Sequence, residues 1–252
     1  MQMAGRTFAI GDVHGDLVHL RTLLAVLPPL DGADTLVFLG DYVDRGPMSA
    51  EVVAFLRDDL PTRVSAKLVM LRGNHEDGWL RVVRGGWDGF VLPRGNGAFE
   101  CYRSFAGGRQ PTDEEPPTQE EFAAILRGSF LPPEVVAWMD SLPFWYEDDH
   151  AIYVHAGVPE REGRFVHPRE VEDQTILLWI RTREFFENYR GKRMVVGHTV
   201  TANLPPHLSS YTPADPLDLW AGECVVAIDT GCGKGGFLTA IELPSLAVHE
   251  SR

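Results

Sequence analysis

Six short motifs run in order through the chain: Gly11-Asp12-Val13-His14-Gly15, Gly40-Asp41-Tyr42-Val43-Asp44-Arg45-Gly46, Gly73-Asn74-His75-Glu76, His155-Ala156-Gly157, Gly197-His198-Thr199 and Asp229-Thr230-Gly231. The first five offer Asp12, His14, Asp41, Asn74, His155 and His198, a mixed oxygen and nitrogen ligand set suited to two metal ions. A pair of divalent cations can make hydroxide from water and clamp phosphoryl oxygens, so no serine, cysteine or lysine nucleophile is needed. The chemistry to expect is hydrolysis of a phosphoester.

Asp12 and His14 are two residues apart, and in an extended stretch both would leave the same face and hold one metal. Asp41 is the candidate bridge, because a carboxylate has two oxygens and can touch two cations. Asn74, His155 and His198 would complete the second metal. An isolated Asp after a strand is usually a turn or cap residue, and an isolated His a satisfied polar group; six together in glycine-flanked contexts read as a centre. Manganese, iron or zinc suits these ligands better than calcium, with manganese preferred. His75 follows Asn74 and is assigned as the general acid, with Asp44 orienting its other nitrogen. The alternative for Asp44 is a salt bridge to Arg45 or a turn cap. Arg45 and Arg72 sit beside ligand motifs and can each fork onto two phosphate oxygens. Arg181 in Trp179-Ile180-Arg181-Thr182-Arg183 is a third candidate, with Arg183 as the alternative.

These residues need elements to hold them. Each motif closes a short apolar run: Thr7 to Ile10, Thr35 to Leu39, Lys67 to Leu71, Ala151 to Val154, Met194 to Val196 and Cys224 to Ile228. Such runs read as buried strands whose C-terminal ends carry the chemistry. Helices are expected between them. One spans Asp16 to Leu27 and stops before Pro28-Pro29, and one spans Ser49 to Leu60 and stops at Pro61. A helix over 119–127 is opened by a Thr118/Glu121 capping box, and one from Pro133 ends near Ser141. Residues 107–118 read as a loop. The pattern is α/β, one domain over 1–252, with an inserted segment at about 80–145. Trp79, Trp87 and Phe90 in that segment fit either a substrate groove or core packing.

Composition narrows the setting. The formal net charge of −13 argues against a nucleic-acid partner, and it means that phosphate must be recognised locally. No apolar run approaches the roughly 20 residues of a membrane span. Met1 to Gly5 lacks the regions of a signal peptide, and three scattered cysteines build no disulfide framework, so a reducing cytoplasm is expected. Cys232 lies just after the sixth motif and is read as a packing residue near the metals. His19, His150, His167, His207 and His249 lie outside the motifs and read as surface or satisfied histidines.

The ordered motifs resemble those of the phosphoprotein phosphatase family of the metallophosphoesterases, in its small bacterial and phage branch. The resemblance covers residues 7–243 in outline and is vague over 80–145 and 200–222. It implies a calcineurin-like fold of two mixed β-sheets packed face to face with helices outside. It also implies Asp12, His14 and Asp41 on one metal, and Asp41, Asn74, His155 and His198 on the other. His75 with Asp44 would be the acid pair, and Arg45 and Arg72 the phosphate ligands. Trp179-Ile180-Arg181 is similar to the Trp-x-Arg of the lambda-type enzymes, which favours Arg181 over Arg183. The substrate implied is phosphoserine or phosphothreonine in a protein, with phosphotyrosine as a further alternative, or else a small phosphoester. The symmetrical dinucleoside tetraphosphatases are similar in the same motifs, including the ending Asp229-Thr230-Gly231-Cys232-Gly233. Their second motif lacks the aspartate found here as Asp44, and their third ends in Asp where this chain has Glu76, which favours the protein phosphatase branch. A non-catalytic scaffold on the same fold would be expected to have lost His75 or some ligands, and none is lost.

Overall fold

The computed structural model describes residues 5–112, 115–211, 215 and 217–252. Residues 1–4 of the N-terminal segment and 113–114 of the expected loop lie outside the described residues, and the rest of 107–118 carries no helix or strand. The strands are β1 (Thr7–Ile10), β2 (Thr35–Phe38), β3 (Lys67–Met70), β4 (Trp145–Glu147), β5 (Ile152–Val154), β6 (Glu160–Arg161), β7 (Arg164–Phe165), β8 (Met194–Val196), β9 (Trp220–Ala221), β10 (Val225–Ala227), β11 (Thr239–Leu243) and β12 (Ala247–Glu250). One five-stranded sheet runs β12-β11-β1-β2-β3, and the other runs β4-β5-β8-β10-β9. Both are mixed. In the first, β1, β2 and β3 are parallel while β11 is antiparallel to β1. In the second, β5, β8 and β10 are parallel, with β4 and β9 antiparallel at the edges. All six expected strands are among them.

Period-two alternation sorts the side chains between layers. Phe8, Ile10, Leu36 and Phe38 face outward into a core shared with helices α1 (Leu17–Val26) and α2 (Ser49–Ala54). Ala9, Val37, Leu39, Val69 and Leu71 face inward and meet Tyr153, Val195, Val226 and Ile228 of the second sheet. This dry seam aligns the strand ends that carry the motifs.

Asp16 caps α1 rather than lying in it, accepting the His19 N–H at 3.0 Å. The chain after α2 does not stop at Pro61. It widens into a π-helical turn, Phe55–Asp59, in which the Leu60 N–H donates to the Phe55 carbonyl. It then continues as α3 (Leu60–Arg63) with Pro61 in the first turn, where a missing N–H leaves no helical bond unmade. Between β3 and β4 lie α4 (Asn74–Gly85), α5 (Asp88–Val91), α6 (Ala98–Ala106), α7 (Gln119–Arg127) and α8 (Pro133–Ser141). They share a core that includes Trp79, Phe90, Cys101, Ile125 and Met139. The Thr118 hydroxyl accepts from the Glu121 N–H at 3.2 Å, and the Glu121 carboxylate accepts from the Thr118 N–H at 2.8 Å, the expected capping box. The last helix, α9 (Arg183–Asn188), lays Phe185 and Phe186 on the outer face of the second sheet. Among the described residues no helix is long and apolar enough to cross a membrane.

Candidate metal centre

The loop after β1 does not stay extended as the two-residue spacing suggests. His14 has φ 47°, and its side chain meets Asp12 because the chain turns left-handed there. The Val13 and His14 N–H groups donate to the Asp41 carbonyl at 3.1 and 2.8 Å, tying the first motif to the second. Asp41 (φ 54°), Asp44 (φ 71°), Arg45 (φ 64°) and His198 (φ 65°) share this conformation. Such backbone costs a non-glycine residue on the order of 1 kcal/mol and collects where a site demands it. Two glycines clear the space. A Cβ on Gly73 would lie 2.2 Å from both the Asp41 nitrogen and its Oδ1, and one on Gly197 would lie 2.0 Å from Asp12 Oδ1.

The ligand atoms converge. His14 Nε2 lies 3.4 Å from Asp41 Oδ2 and 4.0 Å from Asp12 Oδ2, while His155 Nε2 lies 3.4 Å from Asp41 Oδ1. Asp41 therefore turns one oxygen to each histidine. Asn74 Oδ1 is 2.9 Å from His155 Nε2 and 2.6 Å from His198 Nδ1. The other side of each ring shows why these contacts mean a cation. His14 Nδ1 faces the Val43 carbonyl at 3.0 Å and His155 Nδ1 faces the Leu39 carbonyl at 2.8 Å, so each Nδ1 carries the proton and each Nε2 presents a lone pair. Lone pairs of His155 Nε2 and the Asn74 amide oxygen, only 2.9 Å apart, fit a cation lying to one side that both would ligate. Next to His14 Nε2 a cation is supplied by the chain itself, the Arg45 guanidinium. Two groups of metal-competent ligand atoms result, His14–Asp41–His75 and Asp41–His155–His198, both fully buried and sharing Asp41.

Electrostatics agree with this donor set. Burial, together with neighbouring positive charge, holds the His14, His155 and His198 imidazoles below their usual pKa, which keeps them in the neutral, ligating form. Burial works against the charge of Asp41, and positive charge on the facing His155, His75 and His14 rings when they are protonated, with that of Arg45, outweighs it and holds the carboxyl well below its usual range. Asp12 is pushed up by burial and by the nearby carboxylates of Asp229 and Asp41. A divalent cation would relieve that excess of negative charge.

The two residues expected as the acid pair meet. His75 Nδ1 lies 2.6 Å from Asp44 Oδ2, and the Trp79 indole N–H donates to Asp44 Oδ1 at 2.7 Å. His75 Nε2 faces the centre, 3.9 Å from Asp41 Oδ2. Phe90 packs edge-on against His75, with 5.5 Å between ring centroids. Trp79 and Phe90 are therefore core residues that also hold the acid pair.

The three arginines part company. Arg45 reaches the centre at His14, and Arg181 reaches it from the other side, donating to the His198 carbonyl at 3.3 Å. Arg72 is not brought there. Its guanidinium donates to the Asp140 carbonyl and carboxylate and lies over the Phe144 ring, at 4.6 Å from the centroid. The acidic end of α8 outcompetes the centre for this cation. Arg183 forms an ion pair with Glu187 one turn along its own helix.

Four residues stand at the centre in roles that the sequence did not assign. Glu76 is fully buried and accepts the Tyr42, Asp41 and Gly73 N–H groups at 2.8, 2.9 and 2.9 Å, joining the second motif to the third. Burial and the Asp41 charge push its carboxyl up to about 8 against the pull of those donors. Asp229, also buried, accepts the Gly231 N–H with Oδ1 at 3.1 Å, and its Oδ2 has no partner among the described residues. Lys234 makes no side-chain hydrogen bond or ion pair among the described residues, and its ammonium is within electrostatic reach of Asp229, Asp12 and Asp41. The fourth, Trp79, fixes Asp44. Only position inside or just after a motif signalled the first three. Cys232 donates its S–H to the Val13 carbonyl at 3.3 Å and packs beneath the first loop. His19, His150, His167 and His249 are each engaged, by Ser251, Gly5, Glu147 and Glu242 respectively.

Two mixed sheets with a buried, metal-competent cluster at one edge, its two groups sharing Asp41, are the frame of a metallohydrolase type of site. A calcineurin-like phosphoesterase family model matches residues 5–220, and the chain belongs to that family. It is 40% identical over 79 residues to the symmetrical bis(5'-nucleosyl)-tetraphosphatase of Pectobacterium atrosepticum, a match covering 31% of this chain and 26% of that protein. It is 38% identical over 78 residues to the serine/threonine-protein phosphatase SIT4 of Candida albicans, covering 30% of this chain and 24% of that protein. The matched part thus spans about a quarter of the length of these curated relatives. A crystal structure of a candidate diadenosine tetraphosphatase superposes with a TM-score of 0.59 at 21% identity, covering 99% of this chain and 94% of the other. The cold-active protein-tyrosine phosphatase of a psychrophilic Shewanella gives 0.54 at 19% identity, covering 94% and 75%. These two structures share the fold.

Proposed function

We propose that the protein is a metal-dependent phosphomonoesterase whose substrates are phosphoserine and phosphothreonine in proteins. The observation that carries this reading is the buried His75–Asp44–Trp79 arrangement, with His75 Nε2 turned toward the shared carboxylate Asp41. Asp12, His14 and Asp41 would hold one cation, and Asp41, Asn74, His155 and His198 the other, with manganese the expected metal. Bound there, the pair would supply an activated water nucleophile and neutralise charge on the phosphoryl oxygens. The chain's own groups do the rest. Asp44 fixes the His75 ring so that its outward nitrogen can hand a proton to the leaving alkoxide. Arg45 beside His14 and Arg181 beside His198 can each take a phosphoryl oxygen. Arg72 would join them only by leaving Asp140.

A second reading, hydrolysis of a symmetrical dinucleoside tetraphosphate, is favoured by the similarity to the Pectobacterium enzyme. Phosphate release after metal removal and reconstitution with manganese decides between them. Metal-dependent release from phosphoserine and phosphothreonine peptides is expected. Cleavage of diadenosine tetraphosphate far faster than any phosphopeptide would replace the first reading with the second.

A further inference from the structure

A cleft of about 440 Å³ opens beside His198, between α9 and the segment that follows the fifth motif. Its polar lining is Arg181, Arg183, Thr199, Asn203 and His207. Its apolar walls include Phe186, Pro205 and Pro206. The polar groups are largely unspent. The Thr199 hydroxyl is buried with no hydrogen-bond partner among the described residues. Arg181 has no carboxylate partner there and touches only His198, and no side-chain bond is made by Asn203 or His207 among the described residues. Arg183 pairs with Glu187 on the exposed face of its helix, the kind of contact that a better-held anion displaces. Apolar walls with a few convergent, unsatisfied polar groups are the usual make-up of a ligand site.

Position says what it would take. Arg181 lies at the junction, touching the ligand His198 on one side and lining the cleft on the other, so the cleft continues outward from where the reacting phosphoryl group would sit. Arg183 lines the same cleft from the first turn of α9, with its side chain largely exposed. On a chain of net charge −13 such a cationic recess stands out as the place for negative charge.

We propose that this cleft is a subsite for a second anionic group carried by the substrate next to the scissile phosphoester. Arg183 is its specificity-determining residue, and Thr199 and His207 are supplementary donors. The inference rests on the phosphoesterase reading. Under the protein phosphatase assignment the anion is an acidic side chain flanking the phosphorylated residue, and under the second reading it is a further phosphoryl group.

The test compares the manganese-loaded wild type with Arg183→Gln and Arg183→Lys. The substrates are 4-nitrophenyl phosphate, a phosphoserine peptide with neutral flanks, the same peptide with glutamates flanking the phosphoserine, and diadenosine tetraphosphate. Loss of one charge-assisted hydrogen bond predicts that Arg183→Gln lowers kcat/KM for the substrates with a second anion about tenfold relative to 4-nitrophenyl phosphate, mostly through KM. Arg183→Lys should recover part of that loss. A drop for the acidic peptide identifies the carboxylate as the anion, and a drop for the tetraphosphate alone identifies the phosphoryl group. Unchanged ratios for both overturn the subsite while leaving the hydrolase assignment standing. Should none of these esters be hydrolysed, calorimetric binding of a phosphonate analogue of the two peptides gives the same comparison without turnover. Equal affinity of wild type and Arg183→Gln for the acidic analogue would then refute the proposal.

Discussion

The two sheets contribute to the centre in different ways. The first brings Asp12, His14, Asp41 and Asn74 from the ends of its three parallel strands β1, β2 and β3, and the segments that carry them are bound to one another through the Asp41 carbonyl and the Glu76 carboxylate. Four of its residues, His14, Asp41, Asp44 and Arg45, are held in left-handed backbone. The second sheet brings the ligand candidates His155 and His198, and both are fastened across the seam. His155 Nδ1 donates to the Leu39 carbonyl, and the His198 N–H donates to Asp12 Oδ2 at 3.0 Å. One edge is thus a template built from its own loops, and the other is registered onto it. Damage to the template should remove the whole centre, whereas damage to the registered edge should remove half of it.

The largest effect is expected where the edges share a ligand. Asp41→Asn should abolish tight binding of both metals and lower activity by more than about 100-fold, since even an outer partner of a ligand costs up to that much. His198→Ala should lose one metal and keep the other. Metal content after dialysis measures both, and two retained metals in Asp41→Asn would remove its bridging role. Next comes His75→Asn, which should keep both metals and lower turnover by about 10²-fold; unchanged turnover would take His75 out of the reaction. The glycines give a smaller, thermodynamic contrast. Gly73→Ala should destabilise the fold by about 1–3 kcal/mol, because the new methyl has Asp41 backbone in its way. Gly85→Ala in α4 meets nothing within 4 Å and should stabilise by about 0.5–1 kcal/mol. Urea midpoints report both, and a neutral Gly73→Ala would mean that the template is looser than its packing indicates. The smallest effect belongs to Lys234→Ala. It should raise KM about threefold and weaken the dependence of KM on salt, as for a single solvent-facing charge. An unaltered salt profile would place Lys234 outside the field felt by substrate.

Much of the scaffold was legible because it rests on local rules. Apolar runs ending in polar motifs marked six of the twelve strands among the described residues, Asp16 and Thr118 marked helix starts through hydrogen bonds that span three residues, and Pro133 marked one through its fixed backbone angle. Pro61 misled because a widened turn just before it absorbs the missing N–H, and nothing in the spacing announces such a turn. The three histidines and three oxygen donors that the structure draws together were also readable as candidates, since ligand chemistry depends on residue type.

What the chain's order of residues determined alone was the inventory: which groups can ligate, which can move a proton, and which strands must carry them. Tertiary structure decided how that inventory is used. Asp140 lies 68 positions from Arg72 and draws its guanidinium away from the centre, while Arg181, more than 100 positions beyond Arg72, arrives beside His198. Trp79 is placed by its buried neighbours to hold Asp44, and Glu76 is turned inward to join two motifs. Left-handed backbone at His14, Asp41 and His198 goes with the packing of loops on one another, since Asp and His accept that conformation more readily than most side chains but do not impose it. Charge and hydrogen bonding act over a few ångströms in space without regard to distance along the chain, so these choices were settled only once the two sheets had met.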